Sequence, residues 1–221
     1  MEFIKSLINV ILHLDKELKE KVLEPYGSWW AYVLLFVIVF CETGLVVTPI
    51  LPGDSLLFAA GSFAAEGWFN VHLLFILLFA AAVLGDALNY SIGRRMGMAV
   101  FDRKDSKIFK PQYLERTQKF FAKYGNKAIV LARFVPIVRT FAPFLAGVGT
   151  MPYRKFATYN ILGGFVWVGF FTYGGWWFGN LEFVKKNFGF VIIGIIILSI
   201  MPMVIEILKA RKEARAQSVG A

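Results

Sequence analysis

The stretch CETGLVVTPILPGD, residues 41–54, decides the fold of this chain. An acidic residue, Glu42 or Asp54, stands near each end of an otherwise apolar run. Three residues in the same run disfavour a continuous helix: Pro49, Pro52 and Gly53. Acidic side chains are costly in lipid, and broken backbone at membrane depth is tolerated only where protein or water surrounds it. The stretch therefore predicts a segment that enters a membrane, turns inside the protein and returns.

Composition supports a membrane protein. The 221 residues are 57% hydrophobic and 17% aromatic, and the mean hydropathy is +0.61. A helix needs about 20 apolar residues to cross the hydrocarbon core of a bilayer. Four stretches are long enough, namely 28–47, 71–92, 156–178 and 188–208. The single cysteine, Cys41, excludes an internal disulfide framework.

The distribution of positive charge predicts the topology. Ten of the 24 lysine and arginine residues lie in 94–127, and four more follow the last apolar stretch. Cytoplasmic loops of membrane proteins carry such an excess, so this pattern does not indicate a nucleic-acid partner. If 128–149 crossed the membrane, three crossings would separate the two basic segments and one of them would lie outside. Both are cytoplasmic only if 128–149 enters and leaves on one side. By the same count, a re-entrant segment at 49–65 places the N-terminus in the cytoplasm. We therefore expect four transmembrane helices, two re-entrant segments and cytoplasmic termini.

The two re-entrant segments resemble each other. PILPGDSLLFAAG (49–61) and PIVRTFAPFLAG (136–147) both run from proline through an apolar stretch to Ala-Gly. The second carries its own predicted helix breaks, Pro136 and Pro143. Two opposed broken hairpins would form an inverted repeat, which in secondary transporters places the binding site between the halves.

Two amphipathic helices are expected at the membrane interface. One is the N-terminal segment 1–24, which has no signal-peptide cleavage site, and the other runs from Pro111 to a stop at Gly125. A plain cytoplasmic loop helix is the alternative for the second. The membrane domain then spans 28–208, with a cytoplasmic loop at 94–127 and a basic cytoplasmic tail at 209–221.

Five charged residues at membrane depth are the strongest functional signal: Glu42, Asp54, Asp86, Arg133 and Arg139. An arginine fork binds phosphate through two parallel hydrogen bonds, so Arg133 and Arg139 are predicted to bind a substrate phosphate. Glu42 and Asp54 are predicted to pair with them and to exchange protons. The alternative is a purely structural network of ion pairs.

The helix sequences GDALNYSIGRRMG (85–97) and YNILGGFVW (159–167) carry small residues at helical spacing, which indicates close helix packing. Four polar residues in these stretches are accessory site candidates: Asp86, Tyr90, Arg94 and Asn160. For Asp86, a functional role and an interhelical bond are both open, whereas Asn160 is read mostly as a packing residue.

Nothing in the sequence indicates an enzyme. The two histidines, His13 and His72, stand in no catalytic pattern. The chain shows no metal-ligand spacing, no glycine-rich nucleotide loop and no Ser/His/Asp arrangement. We therefore expect neither a metal nor a cofactor.

Three stretches together carry a resemblance to a known family: ETGLVVTPILPGDSLLFAAG (42–61), GDALNYSIGRRMG (85–97) and the region from Ala132 to Trp167 that begins ARFVPIVRTFAPFLAG. They resemble the DedA family of bacterial inner-membrane proteins, also described as SNARE-associated or VTT-type. The resemblance implies recycling of undecaprenyl phosphate, linked to the proton motive force. It also implies that Glu42, Asp54, Arg133 and Arg139 occupy the positions of the residues proposed to be essential in the family.

The sequence hypothesis is thus a proton-linked translocase (flippase) that moves undecaprenyl phosphate or a related anionic lipid. Two alternatives remain open at this stage. One is a proton or small-ion antiporter that uses the same charges, and the other is a non-transporting membrane scaffold that affects envelope integrity.

Overall fold

The computed structural model describes residues 28–45, 53–97, 111–149, 151–191 and 194–195. Its helices, in chain order, are α1 Ser28–Gly44, α2 Gly53–Ala65, α3 Val71–Met96, α4 Pro111–Tyr124, α5 Ala128–Ala132, α6 Pro136–Val148, α7 Tyr153–Gly179 and α8 Glu182–Lys186. A 3-10 turn at Gly125–Lys127 joins α4 to α5. The predicted N-terminal helix 1–24, Pro49, Pro52, most of the span at 188–208 and the tail 209–221 lie outside the described residues.

Local sequence signals set several helix ends. The side chain of Asn70 caps α3 by accepting the backbone N–H groups of His72 and Leu73. The same helix ends at Gly97, and α4 ends at Gly125, both with positive φ angles that favour glycine. The predicted helix at 111–124 is therefore confirmed, and its position at the membrane interface stays a prediction.

Helices begin at two of the predicted breaks, Gly53 and Pro136. Gly53 begins α2, and a turn at 133–135 separates α5 from α6, which starts with Pro136. The prediction that Pro143 breaks the second segment is wrong, because Pro143 lies inside the continuous helix α6. A proline removes only one helical hydrogen bond, and the packing of α6 along α3 compensates for that loss.

Helix length separates α2 and α6 from the longer helices. Each has 13 residues and is therefore about 20 Å long, at 1.5 Å per residue. The hydrocarbon core of a bilayer is about 30 Å thick, so neither helix can cross it alone. Among the residues described, α3 alone is long and apolar enough to cross a membrane by length and composition. The number of crossings stays a prediction.

The outer faces of the long helices are apolar. On α7, a stripe of large apolar side chains is exposed: Ile161, Leu162, Phe165, Val166 and Phe170. On α1, Trp29, Val33, Leu34 and Val37 are exposed in the same way. Apolar faces of this extent are typical of helices that are surrounded by lipid or by a partner.

Glycines bring α2 and α7 into backbone contact. A Cβ atom on Gly61 would overlap the carbonyl oxygen of Thr172, and one on Gly175 would overlap the carbonyl oxygen of Phe58. Each helix therefore supplies one glycine at which the other helix touches it. Only glycine permits such a close approach of two helices.

The crossing of α3 and α6 uses the same arrangement. A Cβ atom on Gly93 would overlap the carbonyl oxygen of Phe144, and one on Gly147 would overlap the carbonyl oxygen of Tyr90. Phe144 and Gly147 are spaced as Phe58 and Gly61 are, so α2 and α6 present the same face to different partners. The short helix of each sequence repeat thus packs on the long helix of the other.

Candidate functional site

All five charged residues that the sequence predicted at membrane depth lie in one buried region. Glu42 lies near the end of α1, Asp54 at the start of α2 and Asp86 within α3. Arg133 follows α5 directly, and Arg139 is in the first turn of α6. We call these residues, together with Asn160 and Trp167 of α7, the charged cluster. It connects the two helix pairs, because Arg139 of α6 is paired with Asp54 of α2.

Arg139 divides its guanidinium group between two carboxylates. Its Nη1 donates to Oδ1 of Asp54 and its Nη2 donates to Oε1 of Glu42, both at 2.6 Å. The side chains of Arg139 and Glu42 are 10% and 4% exposed, whereas that of Asp54 is 34% exposed. Asp54 is therefore the most exposed member of this group.

Gly53 completes the Glu42 site. Its backbone N–H donates to Oε1 of Glu42 at 3.1 Å, and a Cβ atom there would overlap the carboxylate. Glycine is thus required beside Asp54 because the Glu42 side chain occupies the space. The second oxygen of Glu42, Oε2, is buried and has no hydrogen-bond partner among the described residues.

Arg133 forms a second, separate ion pair. Its Nη2 lies 2.5 Å from Oδ2 of Asp86 and 2.5 Å from Oδ1 of Asn160. The Arg133 side chain is 2% exposed, and its Nε and Nη1 have no hydrogen-bond partner in the described structure. Asn160 in turn donates to the carbonyl oxygen of Val83 at 3.0 Å, which ties α7 to α3.

Two glycines of α7 make room for Arg133. The position of a Cβ atom on Gly163 lies 3.3 Å from Cδ and from Nε of Arg133, and that on Gly164 lies 3.5 Å from its Nη2. The glycine pair that the sequence assigned to helix packing therefore also accommodates a buried guanidinium group.

Trp167 joins the two ion pairs. It is fully buried, and its indole N–H donates to Oδ1 of Asp54 at 2.8 Å. The guanidinium carbons of Arg139 and Arg133 lie 5.1 Å and 5.6 Å from the ring centroid. Both distances fall within the range of cation–π attraction.

A cleft leads to the charged cluster. It is lined by Asp54, Ser55, Phe58, Phe171 and Ile195 and has a volume of about 210 Å³. Three of its five lining residues are apolar, and the carboxylate of Asp54 is its charged group. A molecule in the cleft would meet an apolar wall and Asp54, whose carboxylate is paired with Arg139.

The sequence predictions fare unevenly in this arrangement. Of the accessory candidates, Asp86 and Asn160 belong to the charged cluster, whereas Tyr90 and Arg94 have other surroundings. Tyr90 donates its hydroxyl to the carbonyl oxygen of Met151 at 2.7 Å, and Arg94 is exposed near the end of α3. Arg133 pairs with Asp86, whereas Arg139 pairs with Glu42 and Asp54, so a phosphate site shared by the two arginines stays a prediction.

The sequence grouped Trp167 with Asn160, Gly163 and Gly164 mostly as packing residues and did not predict its place in the site. A usable signal was present, because Asn160, Gly163, Gly164 and Trp167 follow the i, i+3, i+4, i+7 spacing of one helix face. That face looks onto both arginines. Within the part of the chain that the structure describes, no three His, Cys, Asp or Glu side chains are grouped as metal ligands.

Comparison with known proteins identifies the family. Residues 51–177 match the VTT domain. The protein DedA of Escherichia coli K12 is 53% identical over 216 residues, which cover 97% of this chain and 98% of DedA. The chain belongs to the DedA family of membrane proteins. The resemblance seen in the sequence is therefore confirmed, including its closeness to DedA.

More distant relatives indicate the location of this DedA-family protein. An uncharacterised membrane protein of Mycobacterium leprae is 43% identical over 183 residues, 82% of each chain. The inner membrane protein YghB of E. coli K12 is 34% identical over 164 residues, 74% of this chain and 75% of YghB. The protein is thus a bacterial inner-membrane protein, and its orientation stays a prediction. No solved structure matches the chain.

Proposed function

We propose that this DedA-family protein is a translocase that carries undecaprenyl phosphate or a related phospholipid across the inner membrane, driven by the proton motive force. It would be a transporter and not an enzyme. The observation that carries this proposal is the placement of Arg139. Its guanidinium fork is held between Glu42 and Asp54, and Asp54 lines an apolar cleft.

The chemistry of Arg139 suits a phosphate. A guanidinium group stays charged at any relevant pH and offers parallel N–H groups to a phosphate, as it does here to two carboxylates. A lipid phosphate would replace one of these carboxylates. Asp54 is the one to be displaced, because it borders the cleft and is 34% exposed, whereas Glu42 is 4% exposed. Arg133 supports the same site from its separate pair with Asp86.

The charge balance supports coupling to protons. The cluster holds three carboxylates (Glu42, Asp54 and Asp86) and two guanidinium groups. When all five are ionised, the cluster carries one excess negative charge in buried surroundings, where unpaired charge is costly. An incoming anion would add to that excess. Uptake of a proton by Glu42 or Asp54 as the phosphate arrives would offset it.

The cleft supports a lipid rather than a free phosphate as substrate. Phe58, Phe171 and Ile195 offer an apolar wall to a hydrocarbon chain near its phosphate. The remaining length of a polyprenyl chain would stay in the bilayer. In such an arrangement only the charged headgroup passes through the protein. The headgroup is the part of the lipid that the bilayer core excludes most strongly.

The same excess of carboxylates favours a second candidate, a proton or small-ion antiporter. A cation could occupy the acidic side of the cluster in place of the guanidinium group of Arg139. This reading predicts ion flux in liposomes that contain no polyprenyl lipid.

The test is translocation of undecaprenyl phosphate in proteoliposomes with an imposed proton gradient. We expect the lipid to move between leaflets well above the rate in protein-free liposomes. That extra transfer should be lost when the proton gradient is collapsed. Ion flux without any lipid transfer would replace the translocase with the antiporter. The absence of both would contradict a transport function.

A further inference from the structure

The Trp167 side chain contacts both arginines and Asp54. Its indole N–H is bonded to Oδ1 of Asp54, the same oxygen that accepts from Arg139. The ring lies against both guanidinium groups. A buried indole N–H needs an acceptor, and the acceptor here is a carboxylate that is partly open to a cleft.

The two bonds to Asp54 differ in what they connect. Asp54 and Trp167 belong to α2 and α7, whose backbones touch at Gly61 and Gly175. Arg139 belongs to α6, which instead packs on α3. The hydrogen bond from Trp167 to Asp54 therefore stays within the α2–α7 pair. The ion pair between Asp54 and Arg139 instead connects the α2–α7 pair to the α3–α6 pair.

We propose that Trp167 is a positioning residue for the anion site. Its hydrogen bond holds Asp54 on the α2–α7 pair, so that Arg139 can leave Asp54 and bind the phosphate of a lipid. This inference rests on the proposed function and adds a residue to it. Without the indole N–H, nothing but Arg139 and solvent restrains the Asp54 carboxylate in the described structure. Asp54 then stays with Arg139 and competes with the phosphate.

The test compares the dissociation constant for undecaprenyl phosphate of purified wild-type protein with that of Trp167→Phe, which keeps an aromatic ring and removes the N–H. We expect the constant to rise about tenfold, the effect of one hydrogen bond to a charged group. Trp177→Phe is the matched control, because Trp177 lies on the same helix and is 66% exposed. It should bind as the wild type does.

A second background separates positioning from packing. In Asp54→Ala the competing carboxylate is absent, so adding Trp167→Phe should leave the dissociation constant unchanged. Binding by this double variant also shows that the fold tolerates the loss of the indole. An equal rise in both backgrounds, or no rise in either, would overturn the role of Trp167. Failure of the wild type to bind the lipid would instead overturn the proposed function, and this inference with it.

Discussion

Replacement of Asp86 by alanine should destabilise the protein strongly. Arg133 is 2% exposed and Asp86 is its ion-pair partner. Two of the guanidinium nitrogens already have no partner among the described residues, so Asn160 alone would remain to bind the group. Removing one member of a buried pair leaves an uncompensated charge and costs about 3–5 kcal/mol. For a chain of this size, that loss corresponds to a fall in Tm on the order of 10 °C.

The measurement is thermal unfolding of the purified protein in detergent. Glu115→Ala is the control, because Glu115 pairs with Lys119 at 2.7 Å on an exposed surface, where an ion pair contributes little. Replacing both members of the buried pair, with Asp86→Leu and Arg133→Met, should recover most of the lost stability, since apolar packing replaces a buried pair well. An Asp86→Ala variant that unfolds at the wild-type temperature would refute the argument. So would a double variant that is less stable than Asp86→Ala.

Two further substitutions test the site and the helix crossings. Arg139→Lys keeps the charge but cannot reach Glu42 and Asp54 with two parallel hydrogen bonds, so lipid translocation should fall at least tenfold while the protein remains folded; full activity would argue against phosphate recognition. Gly175→Ala would drive a Cβ atom into a backbone carbonyl of α2 and should cost about 1–3 kcal/mol of stability. Gly174→Ala, with nothing within 4 Å of its Cβ position, should unfold at the wild-type temperature, and equal melting of the two variants would contradict the close crossing.

The sequence predicted the helices and the composition of the site better than its internal pairing. Pro136 and Gly125 marked helix ends correctly because proline and glycine act through the local backbone. Glu42, Asp54 and Arg139 were expected together because charge at membrane depth requires partners. These inferences need only the residue and its immediate surroundings.

The rest depended on the relative rotation of helices, which spacing along the chain does not determine. Arg133 and Arg139 are six residues apart, but the turn at 133–135 lies between them and directs them to different carboxylates. Helix α6 continues through Pro143 because its packing against α3 outweighs the loss of one hydrogen bond. Trp167 could be distinguished from a packing residue only once its N–H was seen to meet Asp54.

The central claim is that Arg139 carries the phosphate of the transported lipid. The most direct test is the rate of undecaprenyl phosphate translocation in proteoliposomes for Arg139→Ala, with Arg154→Ala as a control that removes an exposed arginine at the start of α7. We predict that Arg139→Ala transports at the protein-free rate, while Arg154→Ala matches the wild type. Wild-type transport by a folded Arg139→Ala variant would contradict the account.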